Sequence, residues 1–224
     1  MGLSRIIYFD TETTGLNPRK DRVIELALFI IENGVLIEKY DHFINVGFEL
    51  PSKITELTGI SDDMLRSDGL SERIVAKDLM LRLKKDTLMV AHNCQFDLNF
   101  IYFLLIRYYK KSDVEDLFGS MFWLDTLTIF KDRKAYPHKL IDLVDYYNLG
   151  DVNFHRAIDD TSVLPKACVR MNQERGDVLK YVNVFGYNPK YGVTGKRFSF
   201  IKYVRQSYHD GMVDSKDILP LKIK

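Results

Sequence analysis

Asn33-Gly34 lies between two long apolar, β-prone runs, Val23 to Glu32 and Val35 to Val46. Both central positions of a tight hairpin turn need φ > 0, and Asn followed by Gly meets that need at little steric cost. The pair therefore dictates a hairpin. Arg5 to Asp10, with Ile6, Ile7, Tyr8 and Phe9, is another buried strand. The stretch Thr13 to Arg22, marked by Gly15, Asn17 and Pro18, is the loop that joins it to the hairpin. The chain thus opens on an antiparallel meander of three strands.

Strands and helices then alternate. Pro51 to Ser61 is a loop with a short helical piece, and Leu70 to Lys85 is a helix. Thr87 to Ala91 is a short apolar strand, followed by a very apolar helix over Asp97 to Tyr109. Trp123 to Phe130 starts a fifth strand that passes into a helix. Leu140, Leu143, Val144 and Tyr147 fall on one helical stripe, which predicts a helix over Lys139 to Leu149. His155 to Arg175 is another, with Pro165 as a kink or break inside it. An antiparallel opening followed by alternating strands and helices predicts an α/β layer fold with a mixed sheet.

Composition sets the remaining bounds. The 224 residues suit one globular domain, or one domain with an appendage, and 28% charged with 12% aromatic residues excludes a disordered chain. The 32 Lys and Arg balance 31 Asp and Glu, so bulk charge points to neither nucleic acid nor membrane. The balance is uneven along the chain. Residues 185–224 hold eight basic residues against three aspartates, with many aromatics, and are read as a basic extension to a domain of residues 1–184. Within it Lys190, Lys196, Arg197, Lys202 and Arg205 interleave with Tyr191, Phe198, Phe200 and Tyr203. That pattern suits packing or an added strand first, and single-stranded nucleic acid or a docking partner after that. Cys94 and Cys168 form no zinc or disulfide pattern, and the apolar runs are far shorter than the roughly 20 residues of a membrane span. The opening residues lead into a strand-like run and not a signal-peptide core. A reduced, cytoplasmic protein with no membrane partner is the expectation.

Three places carry chemistry. Asp10 and Glu12 are two apart at a strand end and so share a face, where their repulsion is tolerable with a hard cation such as Mg²⁺ or Mn²⁺ between them. They lead directly into Thr13-Thr14-Gly15-Leu16. Asp97 follows the strand that ends at Ala91, beside His92 and Asn93; it is a ligand at a strand mouth or a helix cap, and His92 a ligand or a core histidine. His155-Arg156-Ala157-Ile158-Asp159-Asp160 sets a histidine near two acids. On a straight helix His155 faces Asp159; it reaches Asp160 only from the loop before the helix.

D-x-E on the first strand, N-x-x-x-D at a helix start and H-x-A-x-x-D late in the chain together resemble the three motifs of the DEDDh 3′–5′ exonucleases. The resemblance covers roughly residues 5–175 and extends to Ile54-Thr55-Glu56-Leu57-Thr58-Gly59-Ile60 and His138-Lys139-Leu140. It is closest to the proofreading branch: the epsilon-type subunit and the exonuclease insert of the Gram-positive-type replicase. It implies a ribonuclease H-like α/β fold, with a mixed five-stranded sheet, antiparallel in its first three strands, flanked by helices. It implies that Asp10, Glu12, Asp97 and Asp160 bind two Mg²⁺ or Mn²⁺ ions and that His155, lying outside the regular helix, is the general base. It further implies that Thr13, Thr14 and Leu16 line one side of a terminal-nucleotide pocket, that Leu57, Thr58 and Ile60 line the other, and that Asn93 holds substrate. The activity so implied is hydrolysis from the 3′ end of single-stranded or frayed DNA to nucleoside 5′-monophosphates, beside a DNA polymerase in trans. An exoribonuclease of the same fold is the alternative. A non-catalytic polymerase-binding module is a third reading, disfavoured because all five catalytic positions are filled.

Overall fold

A computed structural model of the chain describes residues 2–152, 154–184 and 197–203, and two-residue strand pieces at 187–188, 192–193, 206–207, 212–213 and 222–223. The meander forms as the hairpin dictates. It comprises β1 (Arg5–Thr13), β2 (Val23–Glu32) and β3 (Val35–Asn45), with Asn33 and Gly34 at φ 50° and 82° in the turn. The next elements are α1 (Ser52–Thr58), α2 (Asp62–Ser67), β4 (Leu70–Ser71), α3 (Glu72–Arg82) and β5 (Leu88–Ala91). Then come α4 (Cys94–Leu105), α5 (Lys111–Gly119), β6 (Phe122–Asp125), α6 (Thr126–Arg133), α7 (Leu140–Tyr147) and α8 (Ala157–Arg175).

The main sheet has the order β4-β3-β2-β1-β5-β6. β1, β2 and β3 pair antiparallel, while β5, β6 and the two-residue β4 join parallel to their neighbours. The five expected strands are present, and β4 is a short sixth at the edge. Alternation along β1 sorts the core into two layers. Ile7 and Phe9 join Leu28 and Ile30 under α3 and α4; Ile6 and Tyr8 join Phe29 under α7 and α8. A smaller cluster of Ile24, Leu50, Ile60 and Leu65 closes the segment that carries α1 and α2.

Several boundaries differ from the sequence reading. The helix expected from Leu70 starts at Glu72, because Ser71 caps it through the Ile74 N–H while Leu70 and Ser71 pair with Ile44 and Asn45. α4 starts at Cys94, three residues before Asp97, so Asp97 lies inside the first turn and is not the cap. α5 was not anticipated; its charged sequence buries only Val114 and Phe118. α8 begins at Ala157 and runs unbroken past Pro165 to Arg175, held to the sheet by Val163, Leu164, Ala167 and Met171.

Of the basic, aromatic stretch, residues 197–203 are described. Phe198 and Ile201 are buried in the α3/α4 layer, with Phe200 and Tyr203 packed against it. The chain turns here, with the Ile201 N–H donating to the Phe198 carbonyl, so the alternation does not produce an added strand. Tyr203 Oη donates to Gln95 Oε1 at 3.2 Å. The side chains of Lys190, Tyr191, Lys196 and Arg205 lie outside the described residues. Among the described residues no helix is long and apolar enough to cross a membrane.

Candidate active site

The site sits at the end of β1, where the two faces of the sheet meet. β1 continues past Asp10 because Thr11 and Thr13 keep pairing with β2. Asp10 and Glu12 therefore ride on the strand itself and point to one face, opposite Ala27 and Glu25 in register. α8 packs on that face. Asp160, in its first turn, brings a carboxylate oxygen to those of Asp10 and Glu12, all within 4.8 Å of one another.

His155 is exposed, with φ +71°, and α8 starts two residues later. It lies outside the helix, so the i, i+4 pairing with Asp159 does not form. Asp160 is the acid that turns in toward Asp10 and Glu12, and Asp159 is not in that cluster.

Asp97 arrives from the other side. Its Oδ1 accepts from the Thr11 N–H at 3.1 Å and from Thr11 Oγ1 at 2.6 Å, tying the first turn of α4 to β1. It is not in the trio of close oxygens, but among the neighbouring charges it bears most strongly on Asp10. The helix is led in by Asn93, which has φ 69° and no side-chain cap bond. Asp125 fixes that left-handed residue: its Oδ1 accepts from the Asn93 N–H at 2.9 Å and the Leu127 N–H at 3.0 Å. His92 is a core histidine, placed between Thr126 Oγ1 at 3.0 Å and the His138 carbonyl at 3.2 Å, and its burial lowers its pKa.

Crowding sets the electrostatics. Burial, then Asp97, Asp160, Glu12 and Glu25, push Asp10 well above the usual carboxylate range. Burial and Asp160 raise Glu12 to about 8, against a pull downward from Arg156. Burial raises Asp97 to about 7 although Thr11 pulls it down. Burial likewise raises Asp160 to about 7, against a hydrogen bond from the His155 backbone. Asp160 Oδ1 is buried without a hydrogen-bond partner. Acids held this close, with one carboxylate oxygen unsatisfied, fit a hard divalent cation bound through oxygen.

The residues expected to hold a terminal nucleotide divide. Leu16 and Leu57 stand out from the surface, 84% and 52% exposed. Thr58 and Ile60 turn inward: Ile60 is fully buried, and Thr58 Oγ1 donates to the Ile54 carbonyl and accepts from the Ile60 N–H. Of that segment Leu57 presents its side chain outward, while Thr58 and Ile60 shape the turn beneath it. Thr13 and Thr14 are buried. Thr13 Oγ1 donates to the Gly15 carbonyl at 2.7 Å and Thr14 Oγ1 accepts from the Arg22 N–H at 2.9 Å, which folds the loop back on itself. Leu16 and Asn93 border a cavity of about 330 Å³ that also touches Arg19, Phe96, Phe100 and Phe103.

Glu25 and Arg156 were not singled out from the sequence. Glu25 is fully buried and accepts from Arg156 Nε at 3.0 Å and Nη2 at 2.8 Å, and from the Ala157 N–H at 2.9 Å. A lone acid in the apolar run Val23 to Ile31 was the available signal, since a buried carboxylate needs a cation or several donors.

The sequence model of the exonuclease family (RNase T) matches residues 7–167. The PolC-type DNA polymerase III of Bacillus subtilis is 34% identical over 175 residues, which is 76% of this chain and 12% of that protein. The 3′–5′ exonuclease DinG of the same organism is 32% identical over 169 residues, 73% of this chain and 17% of that one. The chain thus spans less than a fifth of the length of either relative. Among solved structures, E. coli exonuclease I in complex with a dA16 oligonucleotide superposes with a TM-score of 0.68 at 18% identity, covering 80% of this chain and 42% of that one. At that identity the likeness is one of fold.

Proposed function

Because the chain belongs to the exonuclease family, we propose that it removes nucleotides from the 3′ end of single-stranded or frayed DNA, with Asp10, Glu12, Asp97 and Asp160 holding two Mg²⁺ or Mn²⁺ ions. The observation that carries this reading is the meeting of Asp10, Glu12 and Asp160 within 4.8 Å, with Asp97 tied to the same strand end. Bound divalent ions would supply charge neutralisation at the phosphate, at the attacking water and at the departing 3′ oxygen. The chain's own residues do the rest. Thr11 and the first turn of α4 orient Asp97, and α8 orients Asp160. His155, exposed at the rim, takes the proton of the water that attacks phosphorus; the 3′ oxygen leaves and is protonated, giving a nucleoside 5′-monophosphate. Leu16 and Leu57 offer apolar surface to the last bases, and Asn93 a polar group beside them. The likeness to a segment of a PolC-type polymerase supports an activity exercised beside a DNA polymerase.

The test is a 5′-labelled single-stranded DNA and its RNA counterpart, with Mg²⁺ or Mn²⁺, beside Asp10→Ala and His155→Ala. The expected result is a ladder shortening from the 3′ end of DNA and absent in both variants. Cleavage of RNA alone would replace the DNA reading with that of a ribonuclease. Cleavage of neither, with both metals, would overturn the catalytic reading.

A further inference from the structure

The register of the sheet places Glu25 directly across from Glu12. Like charges at such positions repel, and Glu25 is fully buried. Its counter-charge comes from a residue 131 positions away: the Arg156 guanidinium, through Nε and Nη2. Arg156 is held on a second side by the ring of Phe43, 4.8 Å from its guanidinium carbon. The second carboxylate oxygen of Glu25 accepts from the Ala157 N–H. Arg156 is the N-cap residue of α8 but makes no side-chain cap bond of its own. Glu25 therefore caps α8 from another strand, satisfying one of the N–H groups that a helix start leaves unpaired.

What this pair holds is the approach to α8. On one side of Arg156 stands His155 in a left-handed conformation that a β-carbon disfavours. On the other is the first helical turn, whose Asp160 N–H donates to the Arg156 carbonyl at 3.0 Å. We propose that Glu25 and Arg156 are positioning residues for catalysis, fixing His155 and Asp160 against Asp10 and Glu12. This rests on the exonuclease reading given above. Neither residue lies in the trio of close carboxylates. They act through the backbone on either side of the helix start, and through the positive charge that Arg156 sets near Glu12. An ion pair that only stabilised the fold would leave the folded enzyme's kinetics alone.

The experiment compares the wild-type 224-residue chain with Arg156→Ala, Arg156→Lys and Glu25→Gln, all well below their melting temperatures. The readouts are kcat and KM on a single-stranded oligonucleotide, and Mn²⁺ affinity by calorimetry. Outer partners of metal ligands cost about 10–100-fold when removed, so kcat and Mn²⁺ affinity should each fall by about that factor with KM nearly unchanged. Lysine keeps the charge but loses the paired geometry and should recover only part. Added guanidinium ion should partly restore Arg156→Ala. Wild-type kcat and Mn²⁺ affinity in a folded Arg156→Ala, or in folded Arg156→Lys and Glu25→Gln where the alanine variant does not fold, would overturn the proposal. If wild type itself has no nuclease activity, the exonuclease reading fails, and Mn²⁺ affinity across the same variants still decides the positioning role.

Discussion

In metal-free protein the acidic cluster opposes folding, and removing one carboxylate should therefore stabilise it. Glu12→Gln is the informative case. The ordinary value of 4.5 becomes about 8 in the fold, through burial and then Asp160 and Glu25. Between those limits the folded protein holds a proton that the unfolded chain has released. The group therefore costs nothing below pH 4.5, and its cost grows as pH rises towards 8. At about 1.4 kcal/mol per pH unit, that shift corresponds to roughly 4 kcal/mol at pH 8, an upper figure because solvent and neighbours relax. Glutamine keeps the shape and loses the charge. Glu12→Gln in EDTA should therefore gain about 2–4 kcal/mol at pH 8, or roughly 5–10 °C in Tm, and less than about 1 kcal/mol at pH 5. The assay is thermal melting by circular dichroism at both pH values, with and without Mn²⁺. On the proposed reading the ion binds the folded protein alone, so it should raise wild type and close the gap. A variant no more stable than wild type at pH 8, or a gap independent of pH, would refute the reasoning.

Thr11→Val removes the shorter of the two Thr11 hydrogen bonds that pull Asp97 down; the acidic limb of the pH–rate profile should move to higher pH, with a stability loss of about 1 kcal/mol in urea melts. Arg133, its side chain 1% exposed and bonded to Asp177, Glu174 and the Met171 carbonyl, ties α6 to the end of α8. Arg133→Met should cost about 3–5 kcal/mol by denaturant unfolding while kcat per folded molecule stays unchanged. Phe198→Ala empties a buried site against Tyr102, whose ring lies 4.6 Å away, and should cost about 3 kcal/mol or more; a loss below about 1 kcal/mol would mean that residues 197–203 are not part of the core.

Where local chemistry governs, the sequence is legible. Asn33-Gly34 fixes the hairpin, and Val23–Glu32 has the bounds that its apolar run indicates. The D-x-E pair is readable because strand alternation alone puts both acids on one face. That His155 lies outside the helix, and with it the choice of Asp160 over Asp159, is implied only by the resemblance, since the spacing of His155 alone leaves both acids open. Tertiary effects decide the rest. Pro165 ought to interrupt a helix, but the burial of Val163, Leu164, Ala167 and Met171 around it keeps α8 continuous. Thr58 and Ile60 are ordinary loop residues in sequence, and a small cluster beneath them draws both inward. Leu70 and Ser71 become strand because Ile44 and Asn45 offer an edge. Glu25 and Arg156 meet across 131 positions, which no local pattern encodes.

The four acids lie at positions 10, 12, 97 and 160, and the last is supplied by α8. A ribosome releases Asp10 and Glu12 early and Asp160 late. Until α8 has been made and has docked on the sheet, the growing chain holds only part of this set of acids. On the proposed metal-dependent reading, synthesis thus carries a built-in delay: the four acids come together only when α8 docks on the sheet.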